Sequence, residues 1–255
     1  VDITEKEQLR ERIAQDNDRR RGIISTVAHE LRTPLQPIMG YLNLLTEDPE
    51  TYGVTDETKV ILDRCAKSVD RERQIINQML ELSVLDAGKI PMNYSVFSLA
   101  GIIQSLIDAG GYTTKADLTV DVSSYLTLEA DADKISTVID SMLSNAVNYS
   151  KPPRKIRISY QSGASDKMHR ISIQDNGIGI TNTQLDEIFE PFQLPDSANI
   201  SRKYDRIGLS LSIAKKYVQM HGGYISVDSI VNLGSTFTIH LPKSRNVAVK
   251  EVHDA

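Results

Sequence analysis

The chain has 255 residues, 40% hydrophobic and 25% charged, with a net charge of -5. That length suits one large or two ordinary domains with a sizeable core, and the absence of a long basic block argues against a nucleic-acid partner. The single cysteine, Cys65, excludes an internal disulfide and fits a reducing, cytoplasmic compartment.

No apolar run reaches the ~18 residues of a membrane span, and no signal peptide opens the chain. Val1 in place of Met favours a piece of something longer, whose membrane anchoring stays open. Residues 1–46 are expected to form one long helix, charged at first and then carrying a heptad seam of Ile24, Ala28, Leu31, Leu35, Ile38, Leu42 and Leu45. Pro34 and Pro37 should bend it locally. A loop over Asp48–Thr55 leads to a second helix from about Asp56 to Ala87, capped by Gly88, with a stripe of Leu62, Cys65, Val69, Ile76, Met79 and Ser83. Cys65 on that stripe is expected to be buried. Two such helices form a hairpin that cannot cover its own stripe, so the expectation is a homodimer with a four-helix bundle.

From about Pro91 the periodicity changes. Ser98–Gly110, Asp133–Tyr149 and Ile207–His221 are expected to be helices; 155–161, 169–175, 223–229 and 235–241 alternate like half-buried strands. This is an α+β pattern, helices on one face of a mixed sheet. The tail beyond Pro242 is polar.

His29 lies one position beyond Ala28 on the seam, at the shoulder of the expected bundle. A neutral imidazole is a competent nucleophile near neutral pH. Glu30 is placed to take or orient a ring proton, and Thr33 follows one turn on. A lone helical histidine is more often a plain surface residue. The whole string Ser25-Thr-Val-Ala-His29-Glu30-Leu-Arg-Thr33-Pro34-Leu, however, resembles the phosphoacceptor motif of sensor histidine kinases. The resemblance implies His29 as phosphoacceptor, Glu30 as acid/base, and Glu30 with Thr33 as the pair that removes phosphate from a partner.

Three later segments resemble the same family in the expected order. Ser141-Met-Leu-Ser-Asn145-Ala-Val-Asn148-Tyr149-Ser-Lys151 places Asn145 on a helix, where its amide oxygen suits Mg²⁺. Asn148 stands where the family often has Lys or Arg, and Lys151 is the nearby cation that replaces it. Asp175-Asn-Gly177-Ile-Gly179-Ile180 follows a predicted strand and resembles the first glycine box, which implies Asp175 as the adenine-reading carboxylate. Phe189 and Phe192 then precede a long polar stretch that suits a lid, with Arg202, Lys203 and Arg206 placed to reach phosphates. Arg206-Ile-Gly208-Leu209-Ser210-Leu resembles the second glycine box, but Arg206 and Ser210 replace two of its glycines and only Gly208 remains. Thr236 lies in a closing strand that also fits the family.

The resemblance spans about residues 20 to 243. It implies an α-helical hairpin followed by an α+β two-layer sandwich of the GHKL/Bergerat ATP-binding type. The implied divisions are 1–19, a signalling helix or linker from an upstream sensor of PAS type; 20–90, dimerisation and phosphotransfer; 91–243, ATP binding; and 244–255, a tail. The implied activity is ATP- and Mg²⁺-dependent phosphorylation of His29, then transfer to an aspartate of a response regulator receiver domain. A degenerate nucleotide-binding dimer acting as phosphatase or binding module is the alternative that the altered second box supports. A chaperone- or topoisomerase-like ATPase needs no such histidine, and a structural coiled coil leaves Asn145 and Asp175 unexplained.

Overall fold

A computed structural model of the chain describes residues 26–28, 30–88, 90–162, 167–193 and 208–243. His29, Arg202, Lys203, Arg206, the opening part of the first predicted helix and the tail lie outside the described residues. The chain divides into two compact units, Val1–Ile90 and Pro91–Ala255.

In the first unit, residues 26–28 and 30–47 are helical (α1), and Pro34 and Pro37 do not end the helix. α2 runs Asp56–Asp86. Thr55 caps its start, the hydroxyl accepting from Thr58 N–H at 3.3 Å. It ends as expected at Gly88, whose N–H donates to the Leu85 carbonyl at 3.0 Å. Arg32 Nη2 donates to Asn77 Oδ1 at 2.7 Å, tying the two helices into a hairpin. The hairpin buries Ala28, Leu42, Ile76, Leu82 and Leu85 and leaves Leu31, Ile38, Tyr41, Leu44, Val60 and Ile61 exposed. Cys65 is exposed, contrary to expectation. Leu62 and Val69 beside it are half-buried, and one hairpin covers only part of so wide a stripe.

The second unit runs β1 (Tyr94–Ser98), α3 (Leu99–Gly110), a 3-10 turn (Tyr112–Thr114), β2 (Asp117–Asp121), β3 (Thr127–Asp131), α4 (Ala132–Tyr149), β4 (Lys155–Gln161), β5 (Met168–Asp175), a short α5 (Asn182–Leu185), α6 (Ser210–Met220), β6 (Tyr224–Ile230) and β7 (Gly234–Pro242). β1 and β3 make an antiparallel pair, while the other strands form a sheet in the order β2-β4-β5-β7-β6. β2 runs parallel to β4, and the remaining neighbours are antiparallel. Alternation puts Ile156, Ile158, Ile171, Ile173, Phe237, Ile239 and Leu241 on one buried face. Register aligns Ile158 with Ile173 and Ile173 with Phe237. Ile135, Ile139, Met142 and Leu143 of α4, Ile103 of α3 and Val218 of α6 complete the core.

Strands β1 to β3 were not expected from the sequence. Helix α6 begins at Ser210, three residues later than the pattern suggested: Gly208 has φ 76° and Leu209 is the N-cap. A polar knot joins the elements that start this unit. Asp131, 1% exposed, accepts from Asn93 N–H (2.7 Å), Lys134 N–H (3.2 Å) and Lys134 Nζ (2.6 Å). Its own N–H donates to His221 Nε2 at 3.0 Å, and His221 Nδ1 lies 2.7 Å from the Tyr217 carbonyl. Because Nε2 accepts and the carbonyl cannot donate, the ring is neutral with its proton on Nδ1.

Candidate functional site

Asn145 and Asp175 are each 8% exposed, yet both line one cavity of about 370 Å³. A carboxylate buried this far is costly unless it is hydrogen-bonded, and it faces the same space as the Asn145 amide. The volume is that of a small-molecule site. Asn145 arrives on the fourth turn of α4, held by the apolar side of that helix against the core. Asp175 ends β5, where Ile171 and Ile173 fix the strand's inward face.

Asp175 Oδ1 accepts from Gly177 N–H at 2.7 Å and from Ser235 N–H at 3.3 Å. Its Oδ2 has no hydrogen-bond partner among the described residues and remains an acceptor for a ligand. Burial pushes the carboxyl above its ordinary pKa, and the two N–H donors pull it part of the way back. Backbone approaches this carboxylate closely. A Cβ at Gly177 would strike the Tyr149 carbonyl, and one at Gly234 would strike the carbonyl of Asp175 itself, so side chains are excluded at both positions.

The cavity wall includes Ile178, Gly179 and Ile180 after Asp175, Tyr149 at the end of α4, Gly208 and Ser210 before and at the start of α6, and Gln193. Ile180 N–H is fixed by Ser229 Oγ at 2.8 Å. Gly208 and Gln193 meet at the base of the intervening segment, where Phe192 N–H donates to the Gly208 carbonyl at 3.0 Å. Lys215 Nζ lies 3.9 Å from Glu190 and 5.6 Å from the centre of the Phe189 ring, which holds the chain ahead of that segment against α6.

The residues singled out from sequence therefore divide. Asn145, Tyr149, Asp175, Gly179, Ile180, Gly208 and Ser210 come together around the cavity. Gly177 supports Asp175 from behind. Asn148 lies on a separate groove with Tyr112, Lys115, Asp140 and Ser144, its Nδ2 3.4 Å from Ser144 Oγ. Phe192 is 55% exposed and Leu209 is buried, and neither lines the cavity. Lys151 donates instead to Asn232 Oδ1 at 2.9 Å. Thr236 alternates to the opposite sheet face from its neighbours Ser235 and Phe237, which do line the cavity. Period-two alternation from the apolar Phe237 would have selected Ser235. Asn232, Gln184 and Glu187 also line it and were not singled out; nothing in their local sequence marks them. Glu30 and Thr33 are exposed on α1; His29 and Arg206 lie outside the described residues.

Among the described residues no cluster of three or more His, Cys, Asp or Glu side chains is arranged to hold a metal. The donor set fits a cation that arrives with its own oxygen ligands. Asn145 offers a neutral hard oxygen of the type Mg²⁺ accepts beside water and phosphate.

Two family profiles match the chain. The His Kinase A (phospho-acceptor) domain matches residues 5–88, and the histidine kinase-, DNA gyrase B- and HSP90-like ATPase matches residues 130–245. The chain is 32% identical over 246 residues to the sensor histidine kinase WalK of Bacillus subtilis (strain 168), covering 94% of this chain and 38% of WalK. It thus spans well under half the length of that curated relative. Among solved structures it resembles full-length ShkA in complex with AMPPNP (TM-score 0.70, 22% identity, 86% of this chain and 45% of that one). It also resembles the Acinetobacter baumannii histidine kinase AdeS (TM-score 0.61, 22% identity, 85% of this chain and 98% of that one). At these identities the two structures bear on the fold: a helical region followed by an α/β sheet domain.

Proposed function

Because this chain belongs to the sensor histidine kinases, we propose that it binds ATP with Mg²⁺, phosphorylates His29 and passes the phosphoryl group to an aspartate of a response regulator. One observation supports this reading above the others: the buried Asn145 and Asp175 face a single cavity, one suited to a cation and the other to a base. Asp175 Oδ2 accepts the exocyclic amino proton of adenine. The α6 N-terminus at Ser210 presents backbone N–H groups to phosphate. Asn145 supplies an oxygen to Mg²⁺, which when bound neutralises charge on the phosphates. In the transfer, a ring nitrogen of His29 forms a bond to the γ-phosphorus as the bond to the ADP oxygen breaks. Glu30 takes the ring proton. With Thr33, Glu30 also positions water for removal of phosphate from the partner.

The exposed apolar residues of α1 and α2 support a homodimer closed as a four-helix bundle. An upstream sensor domain and a receiver domain complete the partners. Among the described residues no helix is long and apolar enough to cross a membrane, and we place this part of the protein in the cytoplasm. A second reading, a nucleotide-gated dimer acting mainly as phosphatase, draws support from Ser210 and Arg206 in place of glycines.

Calorimetric titration with ATP in Mg²⁺ tests the site. Asp175→Asn is expected to weaken binding at least about tenfold, the scale of a hydrogen bond to a charged group. Equal affinity in the two chains would refute the adenine assignment.

A further inference from the structure

Lys151 is the cation nearest in sequence to the N-terminal wall of the cavity, and spacing alone suggests that it contacts phosphate. The structure gives it a different partner. Its Nζ donates to Asn232 Oδ1 at 2.9 Å, joining two loops 81 residues apart. Both loops are anchored around Asp175. The Lys151 and Pro153 carbonyls accept from Asn176 Nδ2 at 3.3 and 2.8 Å. Asn232 N–H donates to the Ile178 carbonyl at 2.7 Å, and its backbone sits in the left-handed region at φ 68°. A non-glycine residue there is uncommon, though Asn tolerates it best.

Lysine is a donor only, so the Asn232 oxygen must face Lys151. The amide nitrogen, which has no hydrogen-bond partner among the described residues, is left as the end available to a ligand in the cavity that Asn232 lines. Adenine presents acceptor nitrogens as well as the amino group that Asp175 takes. We propose that Lys151 and Asn232 form a latch on the Asp175 side of the cavity: Lys151 is a positioning residue that orients the Asn232 amide toward the nucleoside, and it does not act on the phosphates. This rests on the nucleotide reading above.

The number of phosphates on the ligand separates the two roles. A base-side latch weakens adenosine, ADP and ATP by one common factor when broken; a phosphate contact weakens ATP most and adenosine not at all. We would measure Kd for all three on the whole chain, in wild type, Lys151→Ala, Asn232→Gly and the double variant, with apo melting curves alongside. Lys151→Ala should raise Kd about 3- to 10-fold for each ligand, the range of one hydrogen bond, with the apo midpoint unchanged because the contact is exposed. In the Asn232→Gly background it should add nothing further, since the two act as one unit. A loss that grows with phosphate number, no loss, or full additivity would overturn the latch. A wild type that binds none of the three would overturn the nucleotide reading and the latch together.

Discussion

At the scale of single residues, the half-buried His221 and the buried Asp175 respond to pH in opposite ways. His221 is neutral in the fold, with Nε2 accepting from Asp131 N–H, Nδ1–H toward the Tyr217 carbonyl and the centre of the Tyr94 ring 5.5 Å from its own in a T-shaped contact. Burial lowers its pKa below the ordinary 6.5. The Tyr217 carbonyl and the Asp131 carboxylate oppose that, and Lys134 adds to it. The unfolded chain therefore takes up the proton first. Stability is complete above the ordinary value and is lost as pH falls from there toward the folded value. The melting temperature should drop as pH falls below the ordinary value of 6.5, and His221→Gln should flatten part of that slope. His169, whose pKa burial also lowers, supplies the rest. An identical slope in the variant would show that His221 is not the group responsible. Asp175 runs the other way. Its pKa is raised, so the fold tolerates the protonated form, and stability is lost as pH rises from the ordinary value of 3.8 through the folded one. The same carboxylate must be ionised to accept from adenine most strongly.

At the scale of elements, the start of α6 depends on a glycine. Gly208 sits at φ 76°, and a Cβ there would collide with the Gln193 carbonyl. Gly208→Ala is expected to cost about 1–3 kcal/mol by chemical denaturation and to weaken nucleotide binding by moving Ser210. Unchanged stability would mean that the chain at Gln193 and at Gly208 separates freely. The same stretch shows how far sequence reaches. Hydrophobic periodicity made α2, α3, α4, β4, β5, β6 and β7 legible; in α3, α4, β4, β5 and β7 the apolar stripe packs on the core of the second unit. β1, β2 and β3 were not, being five residues each with acidic or hydroxyl residues throughout, as in Asp117-Leu-Thr-Val-Asp121. Their pairing is decided by partners far along the chain, such as Leu118 with Ile156. In the site, Asn145 and Asp175 were legible because their strings are distinctive. Asn232 was not, because a turn brings it to the cavity and no local signal marks that, whereas Ser235 was missed although alternation from Phe237 along β7 points to it. The Lys151 partner, too, exists only in three dimensions.

At the scale of the whole molecule, the first unit is a hairpin with apolar side chains on the outside. Leu31 is 49% and Ile38 45% exposed, whereas Ala28 and Leu42 on the same helix are buried. A heptad seam divided in this way has one half that faces its own hairpin and another that needs a second copy. Sedimentation should therefore give a dimer. Ile38→Glu should yield a monomer that still binds ATP, since the cavity is built wholly within the second unit. A wild-type monomer at micromolar concentration would contradict the bundle.

The central claim is that ATP bound in the cavity phosphorylates His29 of this protein. Incubating the chain with γ-³²P-ATP and Mg²⁺, beside His29→Gln, tests it most directly. The account predicts acid-labile, alkali-stable label in the wild type and none in the variant. Equal labelling of both chains would contradict it, as would a folded wild type that binds ATP yet takes up no label.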